Sequence, residues 1–335
     1  MNTMSNNQAF AKEVPSLFIV ETPFQAMCAI NTIRQLNIEK YELLLHLHKT
    51  TEKRNKQTIE IVERYGLNYS VREQKRITML DRIGLLFSRT GRYKRVFLGT
   101  HLYQNGYYYV LKEISKGGDV VLLDDGIATL SLLENDYKVT GRSIIYMAFY
   151  RAIASYRKVS MNNVFTVYKG IENPNWNVAF NDISLLRKVE MSHGNKGVFF
   201  IGTNNGGFIR EGVDELSFKQ SLFYILKRVK KIYPLDEILY IPHGRDKSSF
   251  AKAFCEEIGI IYTPLDVNVE IYLLSLPSIP KAIYGFTSSA LYNLKKIFPE
   301  VEVKNLVMKL LVENSPSILK TSNYYERQGI PAINV

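Results

Sequence analysis

The sequence has few cysteines and no long apolar run, and these absences exclude several classes of protein. Its 335 residues include only Cys28 and Cys255, too few for a disulfide framework or a cysteine metal site. The apolar stretch Ile144–Tyr150 ends at Arg151, well short of the ~20 residues that a membrane span needs. No basic segment followed by an apolar core opens the sequence. We therefore expect no secretory signal and a cytoplasmic protein.

What the chain does have is apolar content and positive charge. Hydrophobic residues make up 46% of the sequence, which is enough for packed cores. Because a domain usually has ~100–200 residues, the length of the chain predicts two domains. The net charge is +11, with basic clusters from Arg72 to Arg95 and at Lys227–Lys231. Such clusters occur on solvated faces and in proteins that bind nucleic acid, anionic lipid or phosphorylated molecules. No nucleic-acid-binding motif is present, so we expect no nucleic-acid partner and peripheral contact with the anionic inner membrane.

Short apolar runs alternate with amphipathic segments along the chain, which predicts an α/β fold. In the first half their order indicates a doubly wound, mostly parallel sheet. An asparagine-rich segment from 170 to about 195 is typical of a linker, and the pattern then restarts at Gly197. We predict two Rossmann-like domains, residues 1–177 and 178–335, facing across a cleft as in the GT-B architecture. The tail from about residue 300 is expected to pack back across the first domain.

Two adjacent carboxylates, Asp124 and Asp125, follow the apolar run Val120–Leu123. Such a run is typical of a strand buried on both faces, and the C-terminal ends of these strands are where open α/β sheets bind ligands. Neighbouring carboxylates oppose each other's ionisation, so one of them is a candidate base. The alternative is structural: the pair caps the next helix or makes an Asx turn before Gly126.

Two more motifs follow predicted strands in the second half. Pro242–Arg245 carries His243, a residue type that titrates near neutrality and can protonate or screen a phosphate. Phe286–Ala290 places paired serines at the start of a helix, where backbone N–H groups bind anions. The structural alternatives are a turn histidine and an ordinary serine cap. Glu270 begins another helix, where it either accepts from ribose hydroxyls or only favours the helix dipole.

Five short motifs occur in an order typical of one family: VETPFQ (Val20–Gln25), LDDG (Leu123–Gly126), YIPHGR (Tyr240–Arg245), VEIYL (Val269–Leu273) and GFTSS (Gly285–Ser289). Spread over both predicted domains, they resemble the bacterial lipooligosaccharide sialyltransferase and polysialyltransferase group. Members of that group carry an acidic Asp/Glu–Asp/Glu–Gly motif, a His-Pro motif and a paired-serine motif. One difference is that His243 follows a proline and precedes Gly244, whereas the family's histidine precedes a proline. Because of this difference, the motif is also compatible with a related sugar donor or an altered geometry at this position.

The resemblance implies an inverting glycosyltransferase that needs neither metal nor cofactor. Its donor would be CMP-sialic acid, and its acceptor a terminal sugar, galactose, of a bacterial lipopolysaccharide, O-antigen or capsule. Asp125 or Asp124 would be the general base, and His243 would stabilise the departing phosphate. The implied donor-binding residues are Thr203, Asn204, Gly206, Pro242, Gly244, Arg245, Glu270, Thr287, Ser288 and Ser289. The implied acceptor-binding residues are Thr22, Gln25, Gly126 and His101, although a surface-loop histidine is an equally simple interpretation of His101.

Three other functions remain open from the sequence. One is a GT-B transferase using another CMP-ulosonic acid or a nucleoside-diphosphate sugar. A second is a non-enzymatic protein that binds nucleic acid or membranes. A third is a phosphoesterase with Asp124, Asp125 and His243 as metal ligands, which lacks the additional His/Asp clusters of two-metal sites. A homodimer is also left open.

Overall fold

A computed structural model shows the chain as two compact α/β units, Met1–Leu185 and Leu186–Val335. The structure describes residues 15–88, 91–99, 104–134, 142–187, 191, 197–204, 206, 212–246, 248–309, 313 and 315–335. The predicted α/β class is confirmed, because each unit is built on a parallel sheet interleaved with helices.

The first unit contains a seven-stranded parallel sheet in the order β3-β2-β1-β4-β5-β6-β7. Its strands are β1 (Ser16–Val20), β2 (Tyr41–Leu47), β3 (Ser70–Glu73), β4 (Tyr93–Leu98), β5 (Ile114–Leu122), β6 (Ser160–Thr166) and β7 (Asn177–Phe180). Its helices are α1 (Pro23–Gln35), α2 (Glu52–Arg64), α3 (Met79–Phe87), α4 (Gln104–Glu113), α5 (Ile127–Leu133) and α6 (Arg142–Tyr156). The strand order reverses between β1 and β4, which is the switch point at which such sheets bind ligands.

The second unit repeats this winding in a six-stranded parallel sheet of order β10-β9-β8-β11-β12-β13. Its strands are β8 (Val198–Ile201), β9 (Ile238–Ile241), β10 (Ile261–Tyr262), β11 (Ala282–Phe286), β12 (Glu302–Val307) and β13 (Ala332–Asn334). Its helices are α7 (Glu215–Ile232), α8 (Phe250–Ile258), α9 (Val269–Leu274), α10 (Ser289–Ile297) and α11 (Pro316–Arg327). The switch point of this sheet lies between β8 and β11.

Each sheet has its own core, as expected for strands covered on both faces. In the first unit the Phe18 and Phe97 rings stack at 4.3 Å between centroids, joining β1 to β4. In the second unit the Phe200 and Tyr240 rings stack at 5.4 Å, joining β8 to β9. All four side chains are buried. Helix packing closes both faces, and none of the helices in the described parts of the chain has the length and hydropathy of a membrane span.

Three segments differ from what the sequence predicted. β3 was not predicted, because Ser70–Glu73 is short, polar and at the sheet edge. The segment interpreted as a linker contains β7, which pairs with β6 and extends the first sheet beyond the predicted boundary at 177/178. The tail was expected to cross back to the first domain. It instead supplies β12, α11 and β13 to the second unit.

Candidate functional site

In the first unit, the start of α1, which follows β1, contacts the acidic motif after β5. Thr22 caps α1, its Oγ1 accepting the Gln25 N–H at 3.3 Å, and Pro23 occupies the first helical position. The buried Gln25 side chain reaches across: its Nε2 donates to Asp125 Oδ1 at 2.9 Å, and its Oε1 accepts the Glu21 N–H at 2.8 Å. Both ends of the Gln25 amide are therefore fixed, and the Asp125 carboxylate has a set orientation.

Glycines at two positions make this arrangement fit. A Cβ at Gly99, just after β4, would lie 2.6 Å from Gln25 Oε1, so any larger residue would displace the amide that contacts Asp125. Gly126 is the N-cap of α5 with φ of 67°, a left-handed conformation that favours glycine. The turn is completed by the Asp125 N–H, which donates to Thr129 Oγ1 at 2.8 Å.

The two carboxylates of the acidic motif have different surroundings. Asp124 is fully buried, and it accepts the Thr166 hydroxyl at 2.7 Å and the Val167 N–H at 2.7 Å. Burial raises the pKa of Asp124 to about 7, against the effect of these two bonds, and the Asp125 charge acts in the same direction as burial. Asp125 is partly exposed. Of the pair, Asp124 ties β5 to the end of β6, and Asp125 is the one that is partly accessible to solvent.

A second cluster of titratable groups adjoins this edge and was missed by the sequence analysis. Glu21 and His46 are both buried, with His46 Nδ1 3.4 Å from Glu21 Oε1, and His48 Nε2 lies 4.0 Å from Glu21 Oε2. Burial lowers the pKa of His48, and the Glu21 carboxylate opposes that shift. The available signal was the spacing of His46 and His48 at the end of β2, a strand predicted in the same sheet as β1, which Glu21 follows.

In the second unit, all of the predicted donor-binding residues except Glu270 follow the C-terminal ends of three adjacent strands, β9, β8 and β11. Thr203 and Asn204 follow β8 and are partly exposed, and Gly206 further along is exposed. The paired serines follow β11, on the other side of the switch point. His243 follows β9, two strands from β11, which at the usual strand spacing is about 10 Å along the edge.

His243 has a defined tautomer in its turn. Its Nδ1 accepts the Arg245 N–H at 3.1 Å, and its carbonyl accepts the Asp246 N–H at 2.8 Å. In the neutral imidazole the proton therefore sits on Nε2, which is left to donate. Burial, and then the Arg245 charge, lower the pKa of His243, with Asp246 opposing them. Pro242 is partly exposed, and Gly244 and Arg245 are exposed.

The serine motif is anchored from both sides. Ser288 is the N-cap of α10, its Oγ accepting the Ala290 N–H at 3.2 Å, and its carbonyl accepts the buried Tyr325 hydroxyl at 2.9 Å. The Thr287 hydroxyl donates to the buried Asn305 at 3.0 Å. Ser289, the first helical residue, is partly exposed. These contacts hold the N-terminus of α10 in place at the C-terminal edge of the sheet. No pattern in the sequence indicates the contribution of Tyr325.

Glu270 occupies a buried polar position. Its Oε1 accepts the Asn293 amide at 2.8 Å, and its Oε2 accepts the Asn268 amide at 3.1 Å. Burial raises the pKa of Glu270, and the Asn293 bond opposes this. Because Asn293 lies on α10, Glu270 ties α9 to the helix that carries the paired serines. The expected role of Glu270 toward the nucleotide stays a prediction.

Two expectations remain, one for His101 and one for a metal site. His101 lies outside the described residues. Across the described ranges, no group of three or more His, Cys, Asp or Glu side chains is placed to hold a metal ion.

Comparisons with known proteins identify the fold. No protein-family model matches the sequence, and no curated protein is similar to it. The structure resembles a Listeria monocytogenes protein assigned as a UDP-N-acetylglucosamine 2-epimerase, with a TM-score of 0.53 and 10% identity over 96% of this chain and 92% of that one. It also resembles S. aureus MnaA solved with UDP, with a TM-score of 0.51 and 11% identity over 88% and 79% of the two chains.

A further UDP-N-acetylglucosamine 2-epimerase gives a TM-score of 0.50 at 10% identity, over 89% of this chain and 79% of that one. At such low identities the similarity shows the fold alone. The predicted GT-B fold class, with two Rossmann-like doubly wound halves, is confirmed.

Proposed function

We propose that this chain is an inverting glycosyltransferase that transfers sialic acid from CMP-sialic acid to a terminal galactose of a bacterial surface glycan. The observation that carries the proposal is the contrast within the acidic motif. Asp124 is buried and accepts a hydrogen bond at each carboxylate oxygen, whereas Asp125 is partly exposed and held in place by Gln25. A carboxylate oriented at the C-terminal end of a parallel strand is suited to act as a general base.

In the proposed reaction Asp125 accepts the proton of the acceptor hydroxyl. The acceptor oxygen forms a bond to the anomeric carbon of the sialic acid while the bond from that carbon to the CMP phosphate oxygen breaks. Because attack and departure take place on opposite faces, the configuration inverts. CMP leaves with the bonding electron pair, and the proton remains on Asp125 until solvent removes it. A positioned base of this kind contributes about 10²–10⁴-fold in rate.

The second unit would bind the donor. His243 Nε2–H would donate to the phosphate as negative charge develops there, a role that the hydrogen bond at Nδ1 supports. Ser288, Ser289 and the first N–H groups of α10 would hold the phosphate oxygens. Thr203, Asn204 and Gly206 would lie along the nucleotide, since they follow the strand on the other side of the switch point.

A second candidate is an enzyme acting on a UDP-sugar, including a 2-epimerase. It is favoured by the fold similarity to UDP-N-acetylglucosamine 2-epimerases, one of them solved with UDP. The motif resemblance favours CMP, and the fold similarity favours UDP. The choice of nucleotide therefore separates the two candidates.

Calorimetric titration of the full-length chain with CMP and with UDP tests the proposal. We expect CMP to bind and the Ser288→Ala/Ser289→Ala variant to bind it more weakly. Lys320→Ala, an exposed position on α11, is the control. UDP binding with no CMP binding would replace the first candidate with the second.

A further inference from the structure

Two helices of the first unit expose apolar side chains on their outer faces. On α3 the exposed residues are Met79 at 58%, Leu80 at 80%, Ile83 at 40%, Leu86 at 55% and Phe87 at 84%. On α6 they are Ile144 at 55%, Ile145 at 67% and Tyr156 at 84%. We refer to these eight residues as the apolar helix face. Soluble proteins seldom leave so many large apolar side chains exposed together, and such a surface marks an interaction site.

The two helices form one surface, because buried arginines join them. Arg82 of α3 donates from Nε to the Tyr150 hydroxyl of α6 at 3.0 Å, and its guanidinium lies 4.2 Å from the centre of the Tyr146 ring. Arg157, just after α6, donates to the Leu85 carbonyl and to Ser88 Oγ. In α3 Arg82 and Leu85 face inward, while five large apolar side chains face outward, which is unlike an ordinary surface helix with a polar outer face.

The charges around this face are predominantly basic. Lys75 and Arg76, just before α3, are exposed, and so are Arg151 on α6 and Lys158 just after it. The sequence of α6 contains no acidic residue. The single acid of α3, Asp81, accepts the backbone N–H and hydroxyl of its own N-cap, Thr78.

We propose that the apolar helix face docks on a phospholipid bilayer that contains anionic lipid. The apolar side chains would enter the boundary between headgroups and acyl chains, and the surrounding cations would contact lipid phosphates. A second copy of the chain fits less well, because a two-fold interface would bring basic rims against each other. This inference is independent of the proposed sugar transfer, since no residue of the acidic, histidine or serine motifs takes part.

Co-sedimentation of the full-length chain with vesicles tests the proposal. The two preparations are phosphatidylcholine alone and phosphatidylcholine with about one third phosphatidylglycerol. We expect binding to the anionic vesicles that weakens with added salt. Leu80→Ser/Phe87→Ser is expected to lower the partition coefficient about tenfold or more, because two large apolar side chains no longer enter the bilayer. Lys75→Glu/Arg76→Glu should have a comparable effect through charge.

Matched controls lie in the second unit. Leu235→Ser removes a side chain that is 98% exposed, and Lys227→Glu/Lys231→Glu reverses two exposed charges on α7. Both should bind vesicles like the unaltered chain, with melting temperatures of all variants confirming the fold. Absence of vesicle binding, or loss only in the Lys227/Lys231 variant, would overturn the proposal. A dimer seen by light scattering and dissociated by Leu80→Ser/Phe87→Ser would also overturn it, in favour of a second copy.

Discussion

The Gln25 side-chain amide donates to the Asp125 carboxylate at 2.9 Å, although the two residues are 100 positions apart in the chain. The bond joins the first turn of α1 to the loop after β5 across the end of β4. It fixes the partly exposed acid of the motif and leaves its buried neighbour, Asp124, to hold β6. The proposed chemistry depends on this division of roles.

Gln25→Glu should move the acid limb of the pH–rate profile for sugar transfer to higher pH. The new carboxylate keeps an oxygen for the Glu21 N–H but presents a second negative charge to Asp125, which opposes its ionisation. We expect a displacement of about one pH unit or more in the kcat/KM profile.

Gln35→Glu on the same helix is the matched control. Gln35 has the same bonding pattern, with Oε1 accepting the Asp182 N–H at 2.8 Å and Nε2 donating to the Phe180 carbonyl at 2.9 Å. Its substitution should lower stability and leave the profile in place. Identical profiles for the two variants would show that Gln25 has no positioning role.

Asp124→Asn should become more stable relative to the unaltered protein as pH rises. The pKa of Asp124 is raised from 3.8 to about 7, so in this window the native state binds a proton that the unfolded chain releases. The contribution is fully present below about pH 4 and is lost as pH rises toward 7. Asparagine avoids this loss, on the order of a few kcal/mol, and can still bond to Thr166 and Val167.

Denaturant unfolding at pH 5, 6, 7 and 8 measures the effect, with Asp119→Asn, on the strand β5 that precedes Asp124, as the control. A stability difference between Asp124→Asn and the unaltered protein that does not change over this range would mean that Asp124 is ionised in the native state throughout.

Tyr325→Phe should weaken nucleotide binding indirectly, because Tyr325 supports the serine motif and is not proposed to contact the nucleotide. The Tyr325 hydroxyl donates to the Ser288 carbonyl, and its loss costs about 0.5–1.5 kcal/mol of stability and frees the loop that starts α10. Tyr324→Phe is the control, because the Tyr324 hydroxyl bonds to Tyr292 instead. Calorimetric titration with CMP should give a lower affinity for Tyr325→Phe than for Tyr324→Phe. Equal affinities would argue that the serine loop is rigid without Tyr325.

His243→Gln should retain more transfer activity than His243→Asn. Glutamine can place an amide N–H near the position of Nε2, the atom proposed to donate to the phosphate, whereas asparagine reaches only the position of Nδ1. The comparison is made by measuring kcat of both variants with CMP-sialic acid. Greater activity in His243→Asn would indicate that the bond at Nδ1, made to the Arg245 N–H at 3.1 Å, is the one that matters.

The local pattern of the chain predicts the elements near the site well. Thr22, followed by proline, predicts the start of α1, and the apolar run before Asp124 predicts the buried strand β5. Both signals are local, because capping and burial on two faces depend on neighbouring residues. The edge strands β3 and β7 were missed, because each is only four residues long and is held by pairing to one neighbour.

The site itself could be predicted only in part. The motifs identify which residues stand at strand ends, but not which of two adjacent acids is exposed. That distinction comes from Thr166 and Val167, more than 40 positions away from Asp124. Likewise Tyr325 supports Ser288 from another helix. Long-range partners of this kind leave no periodic signal in a single sequence.

Mass spectrometry of the acceptor after incubation with CMP-sialic acid tests the central claim most directly. The unaltered chain and the Asp124→Asn and Asp125→Asn variants are each given a panel of labelled galactosides. The account predicts acceptor mass increased by one sialic acid for the unaltered chain, a similar product for Asp124→Asn, and about 10²–10⁴-fold less for Asp125→Asn. Equal products from the unaltered chain and Asp125→Asn, or turnover of UDP-N-acetylglucosamine with no CMP-sialic acid transfer, would contradict it.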